Sequence, residues 1–490
     1  MRRFILPAVV LAVAIVASVL AGNANEAAEP DDPSVETASD RLGTPLLSAR
    51  RTPEWLRQPT VSNLLDTAVR APVEAVGDAG FACVSVHVNG TSVTELASDL
   101  PFIPGEAHRL LTLAALDTVG TGTFTTEVAR DVEAVISDEG VLEGDLWLIG
   151  GADPVLATNA YISRFTDGRA FTSLEELALS TAAALRDQGI TAVAGRLIGV
   201  DPKYSGYLQS YPEVWTTAEI NSGTVGVTSG LLVDNGLSSF SADSLDATAN
   251  VRAADGVAHA AGQFQSLLVA LGVPVASGSA SGDAPPAIAR EIVASIESPA
   301  LSDIARRALV DATTAEMLWR EIAIRGGGTS ESLAVLFGIN AALVELGLLT
   351  SEEADSLPKL DGSGLSLKNR ARCDTLTGVL DPDSSILTAQ SLPTAAESAV
   401  TECAPDALED LRVVASARPE VTSMAGRATA PNGDIITFSV LANWLPDESG
   451  TFAPQDVCDG LLPSVLDAIA QHPAGPVIGA LTPLDPVPAS

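Results

Sequence analysis

The chain has 490 residues, 46% of them hydrophobic and 18% charged, enough to bury a sizeable core and to build two or three domains. With 62 acidic residues against 27 basic ones the net charge is −35, which argues against nucleic acid or an anionic membrane as partner and reads as a solubility or salt adaptation. Lysine occurs only as Lys203, Lys359 and Lys368, so a lysine-dependent mechanism has three possible places.

Arg2 and Arg3, an apolar run over 4–20 and a small-residue exit at Ala21-Gly22-Asn23-Ala24 predict a signal segment over 1–24. Left uncleaved, residues 4–20 would be a membrane anchor, since the run is nearly long enough to span. Export makes disulfides available to Cys83, Cys373, Cys403 and Cys458. Of the three pairings open to four cysteines, Cys373–Cys403 with Cys83–Cys458 is the expectation. No pair has zinc-site spacing, so neither metal nor cofactor is expected.

Residues 25–60 are polar, proline-containing and without apolar period, which predicts a linker. Residues 61–73 have helical spacing. Residues 81–88 alternate as a strand does, and Asn89-Gly90 is a hairpin turn into a second strand at 93–96. Pro104-Gly105 then opens a helix through Leu116, with Leu110, Leu113, Ala114 and Leu116 on its buried side.

After Gly120 the pattern changes to strands and turns: 123–128, 132–136, and a buried strand from Gly144 that ends in the glycine turn Gly150-Gly151-Ala152-Asp153-Pro154. A helix is predicted over 174–186, a strand at 195–201, a helix over 258–271 and a strand at 272–275. Helical character resumes at Ile292. Asp361-Gly362-Ser363-Gly364 is a tight turn whose aspartate and serine can bond backbone amides. A strand at 421–427, a turn at 431–434 and a strand at 436–443 form the last hairpin, before an apolar helix over 457–471 and a proline-rich tail.

Several of these stretches resemble the D-alanyl-D-alanine carboxypeptidase/endopeptidase family, the class C penicillin-binding proteins. Its nucleophile helix reads Pro-Ala-Ser-x-x-Lys-Leu-Leu-Thr, a frame kept here from Pro104 onward, but with Glu106 at the serine position and Arg109 at the lysine position. A serine hydroxyl needs a base within reach, and residues three apart share a helix face. Lysine can shed its charge to serve; arginine cannot. Glu106 and Arg109 are therefore expected to form an exposed structural ion pair.

The glycine turn at 150–154 is similar to the family's Gly-Gly-Gly-Asp-Pro except at Ala152, and residues 224–236 stand where the family has its Val-Ser-Ala-Leu-x-Val-Asn-Asp-Gly strand, which implies a strand there. The family's Ser-Asp-Asn corresponds to Val310-Asp311-Ala312, in a register set by Ala315-Glu316, so Val310 and Ala312 stand where a proton relay is needed. Asp361 to Arg370 keeps the family's Asp-Gly-Ser-Gly-Leu-Ser-x-x-Asn-Arg. Counting back from Val421-Thr422-Ser423-Met424-Ala425-Gly426, the Lys-Thr-Gly triplet falls on Val414, Ala415 and Ser416. Arg418 or Arg412 offers a positive charge nearby, which makes Asp361, Ser363 and Arg418 the candidate binding residues.

The resemblance implies an α/β (α+β) fold of the penicillin-binding, serine β-lactamase-like kind: an antiparallel sheet flanked by helices, with an inserted mostly-β region. The expected organisation is a core over 61–121 and 291–475, an insertion over 122–290 and a tail over 476–490. Ser356-Leu357-Pro358-Lys359, the sole Ser-x-x-Lys, is no rescue, because Pro358 sits badly in a helix. His108 is expected to be exposed and idle, and no Gly-x-Ser-x-Gly elbow marks a triad.

The leading functional reading is an exported cell-wall protein without acyl-enzyme chemistry, binding a peptidoglycan stem peptide or a cell-wall protein. It would meet a membrane only through residues 4–20. The alternatives are an active serine-type peptidase with a rearranged site and a structural secreted protein with no ligand.

Overall fold

The computed structural model describes residues 54–473 except 121, 166–169, 205–214, 216, 218–223, 227, 242–249, 329–331, 382–383, 399, 409 and 431. The expected signal segment and proline-rich tail lie outside these residues, as does the expected linker up to residue 53. The chain divides between Leu56 and Arg57 into two compact units, and both large sheets belong to the second.

Helix α1 (Glu54–Glu74) begins inside the stretch expected to be linker. Strands β1 (Gly80–Val88) and β2 (Thr91–Leu96) follow as the predicted hairpin, and α2 (Arg109–Val119) follows a single 3₁₀ turn over Gly105–His108. The middle of the chain supplies β3 (Thr125–Asp131), β4 (Leu146–Ile149), α3 (Leu174–Asp187), β5 (Leu197–Val200), α4 (Gly256–Ala270), β6 (Ser279–Ser281) and β7 (Arg290–Glu297). Helices α5 (Leu301–Ala308), α6 (Ala312–Arg325), α7 (Ser332–Glu345) and α8 (Cys373–Leu380) come next. Strands β8 (Arg412–Arg418), β9 (Val421–Thr429) and β10 (Ile435–Trp444) and helix α9 (Leu461–Ala470) complete the order.

One antiparallel sheet has the order β8-β9-β10-β1-β2, so the last three strands pair with the first two. Its alternation sorts side chains between two cores. Val84, Val86, Phe438 and Val440 face α1 and α9, whereas Cys83, Val414, Ala425 and Leu441 face α2 and the helices after it. Helices on both faces of an antiparallel sheet are the predicted architecture.

A second sheet, order β6-β5-β4-β3-β7, is parallel over β4, β5 and β6 and antiparallel at β3 and β7. Both helices predicted in this region form, and α3 and α4 pack on the sheet through Leu177, Leu185, Phe264 and Leu268.

Four expectations fail here. Ile292 lies in β7, paired with Ala129, and helix resumes only at Leu301. The expected strand at 224–236 ends instead in a 3₁₀ turn, because Asp234, Asn235 and Gly236 all have positive φ. The expected strand at 272–275 is reduced to one bridge, between Val275 and Val193.

The disulfides are also paired differently: Cys83 with Cys373 and Cys403 with Cys458. The sheet is the reason. Cys83 points into the layer where α8 starts at Cys373, while Cys403 packs against the opposite core, on which α9, following Cys458, also lies. The expected pairing would have had to cross the sheet.

Candidate functional site

Residues 104–109 form a turn wedged between β8 and the loop at 361–366. Gly105 has φ +54°, and a Cβ there would lie 3.0 Å from Ser416 Oγ and 3.1 Å from Ser423 Oγ. Gly364, φ +80°, would bring a Cβ within 2.2 Å of the Gly105 carbonyl oxygen. Gly364 accepts no side chain without movement of backbone, and at Gly105 the positive φ disfavours one while the two serine hydroxyls would have to give way.

Glu106 and Arg109 do form an ion pair, Nη1 to Oε2 at 3.2 Å, but not an exposed one. The Arg109 side chain is 2% exposed against 29% for Glu106. Its guanidinium also donates to the Ser363 carbonyl at 2.9 Å and the Leu309 carbonyl at 3.1 Å. One arginine thus joins the turn, the 361–366 loop and the residue before Val310. Its planar fork suits several oxygen acceptors at once.

Val310 closes the turn after α5, its amide donating to the Arg307 carbonyl at 3.0 Å, and Ala312 is the first, buried residue of α6. Between them Asp311 caps α6 by accepting the Thr314 amide at 2.7 Å. Burial pushes the Asp311 carboxyl up, but Arg307 and that amide more than offset it, so it lies below the ordinary value.

Val414 and Ser416 stand on the sheet face that meets α2, while Ala415 packs against the other core. The Ser416 hydroxyl lies 3.1 Å from that of Ser423 and accepts from the Glu106 amide at 3.4 Å. Arg418 donates to the carbonyls of Leu365 at 2.8 Å and Gly364 at 3.0 Å, fixing the same loop from the strand side.

The loop is held from within by Asp361. Its carboxylate accepts from the amides of Gly364 (2.8 Å) and Ser366 (2.7 Å), from Asn369 Nδ2 (2.9 Å) and from Trp215 Nε1 (2.6 Å). Ser363 accepts the Leu365 amide at 3.2 Å, the tight-turn role expected of it. Beneath the loop, buried Glu316 accepts the Gly362 amide at 2.8 Å, and burial pushes its carboxyl up to about 7. Nothing in the sequence marked Glu316 beyond its use in setting the register.

His108 is a correction: it is fully buried, and burial lowers its imidazole to about 4, so it is neutral near pH 7. Lys359 is buried too, its ammonium bonded to Asn340 Oδ1 and to the carbonyls of Ala354 and Leu357 at 2.7–3.1 Å. It secures the end of the short helix Ser351–Ser356, and its charge adds to the burial that keeps His108 neutral.

The structure therefore gathers Glu106, Arg109, Ser363, Ser416 and Arg418 at one place, with Val310 and Ala312 beside it and Asp361 behind the loop. Chemically the cluster holds two guanidinium groups bonded to carbonyl oxygens and a pair of hydroxyls, Ser416 and Ser423, that bond each other.

A sequence model of the D-Ala-D-Ala carboxypeptidase 3 (S13) family matches residues 65–248 and 238–462. Penicillin-binding protein 4 from Haemophilus influenzae has the same fold, with a TM-score of 0.58 and 14% identity over 84% of this chain and 98% of that one. The same protein complexed with a novel β-lactam gives a TM-score of 0.57 at 14% identity, over 84% and 98% of the two chains. A predatory endopeptidase from Bdellovibrio bacteriovorus, 12% identical, reaches a TM-score of 0.44 over 79% and 92%. No curated protein matches the sequence.

Proposed function

This chain belongs to the D-Ala-D-Ala carboxypeptidase 3 (S13) family, and we propose that it is an exported member that has given up acyl-enzyme chemistry and acts by binding a peptidoglycan stem peptide or a cell-wall protein. The observation that carries this reading is Arg109. It stands three residues after Glu106, where the family's lysine follows its serine. An arginine there cannot take a proton from a nucleophile, and this one is fastened to two carbonyls and to Glu106.

Two further features support it. Gly105 adopts a backbone conformation that the family's alanine rarely visits. Val310 and Ala312 have no side-chain group to relay a proton. Export rests on the charged start, apolar run and small-residue exit of residues 1–24. Among the described residues no helix is long and apolar enough to cross a membrane.

The test is intact-protein mass spectrometry after incubation with a penicillin, alongside sedimentation with purified peptidoglycan. The expected result is no penicilloyl adduct together with saturable, non-covalent co-sedimentation. A stoichiometric adduct would establish the alternative, an active serine-type peptidase with a rearranged site. Failure to co-sediment would leave the partner protein as the ligand to pursue, by cross-linking in the cell wall.

A further inference from the structure

A groove of about 580 Å³ opens at the far end of β10, separate from the Glu106 turn. That volume falls within the roughly 300–1,000 Å³ range of sites that enclose a ligand. Its apolar walls come from Trp444, Pro446, Phe452 and Pro454. The Trp444 ring is fixed because its Nε1 donates to Thr422 Oγ1 at 2.8 Å, and the Leu445 amide ties this segment to Ala79 at 3.0 Å.

The polar lining carries one sign. Asp78 and Asp447 are both exposed at the groove, and no lysine, arginine or histidine is among the described residues that line it. Asp447 organises its own turn, accepting the amides of Ser449 and Thr451 at 2.9 Å each. The Ser449 hydroxyl and the Thr451 amide hold its carboxyl below the ordinary value, so it stays charged. Around the groove the whole chain carries a net charge of −35.

We propose that this groove binds an extended, proline-containing cationic segment of a partner protein. Aromatic and proline walls suit the ridged, preformed polyproline helix, whose ordering cost is already low. Arginine or lysine beside them gains from both carboxylates and from the faces of Trp444 and Phe452. The long-range field of an acidic protein steers such a segment in. This goes beyond the reading of the Glu106 turn and does not depend on it.

Isothermal titration of the full chain with the peptide Arg-Pro-Pro-Arg-Pro-Pro tests the proposal. Saturable binding is expected, weakened several-fold when salt rises from about 50 to about 500 mM, because the Debye length shrinks. Asp78→Lys, a change at an exposed residue, should weaken it at least tenfold, and so should Phe452→Ala, with circular dichroism confirming that both variants are folded. Absence of binding at millimolar peptide overturns the proposal. So does equal binding of Glu-Pro-Pro-Glu-Pro-Pro, unchanged affinity in folded Asp78→Lys, or binding of a neutral N-acetylglucosamine tetramer in place of the peptide.

Discussion

Replacing Arg109 by alanine should be among the most destabilising changes near the site, and the contacts allow the cost to be worked out. The guanidinium makes two charge-assisted hydrogen bonds to the carbonyls of Ser363 and Leu309. Hydrogen bonds to charged groups contribute about 1.5–3 kcal/mol each, and a buried acceptor left without a partner costs about 1–3 kcal/mol. Water cannot easily replace a side chain that is 2% exposed. The contact with Glu106 contributes less, because that carboxylate is 29% exposed and keeps water when unpaired. Arg109→Ala should therefore cost about 3–5 kcal/mol and Glu106→Gln about 0.5–1 kcal/mol, with a coupling of about 1 kcal/mol in the double-mutant cycle. Arg109→Lys should fall between, since one ammonium cannot span three acceptors in different directions. Urea unfolding followed by circular dichroism measures all four. An Arg109→Ala cost below about 1 kcal/mol at unchanged m-value would refute the reasoning and restore the exposed surface pair that the sequence suggests.

Three other outcomes follow from named contacts. Glu106→Ser with Arg109→Lys should give no penicilloyl adduct by mass spectrometry, because Val310, Ala312 and Val414 still lack the partner groups, and residues of a catalytic unit are strongly non-additive; a stoichiometric adduct would show the loss to be shallow. His87 sits 2.8 Å from Asp381 and 3.4 Å from Glu95; burial lowers its imidazole, but the two carboxylates raise it further, to about 9. Its stabilisation is thus complete below about 6.5 and lost as pH rises through about 9, on the order of 2 kcal/mol once solvent screening of a partly exposed pair is allowed for. Urea midpoints across that window should fall more steeply for the parent than for His87→Gln, the difference being His87's share over the titrations common to both, such as that of Glu316; parallel slopes would contradict the assignment. Non-reducing peptide mapping should recover Cys83 linked to Cys373 and Cys403 linked to Cys458; a Cys373–Cys403 peptide would instead favour the pairing first expected.

What the sequence made legible was local. Alternation in 81–88 and helical spacing in 174–186 and 258–271 recover real elements to within one or two residues, and three-residue spacing is enough to pair Glu106 with Arg109. The misses share one cause, that a face has no meaning until its neighbours are known. Helix α2 is buried from Arg109 to Leu116, and the His108 that precedes it is buried too. A helix enclosed all round has no solvent side on which to leave an idle histidine or an exposed arginine. Cys83 alternates correctly in β1, but its partner depends on which helix covers that face.

The same point decides how the Asp361–Arg370 stretch is to be weighed, because it keeps the family pattern most faithfully of all. Faithful spelling there invites the inference that catalysis survives. Asp361, Ser363, Gly364, Asn369 and Arg370 nevertheless each have a structural job in this chain. Asp361 receives four donors, Gly364 has no room for a side chain against Gly105, and the Ser363 carbonyl accepts Arg109. Asn369 also accepts the Leu360 amide at 2.7 Å, and Arg370 donates to the carbonyls of Leu367 and Asn369 at 2.7 Å each. A loop held by these contacts favours those residues whether or not a nucleophile stands beside it. Its fidelity therefore speaks for the fold, and the chemistry has to be judged at Glu106 and Arg109.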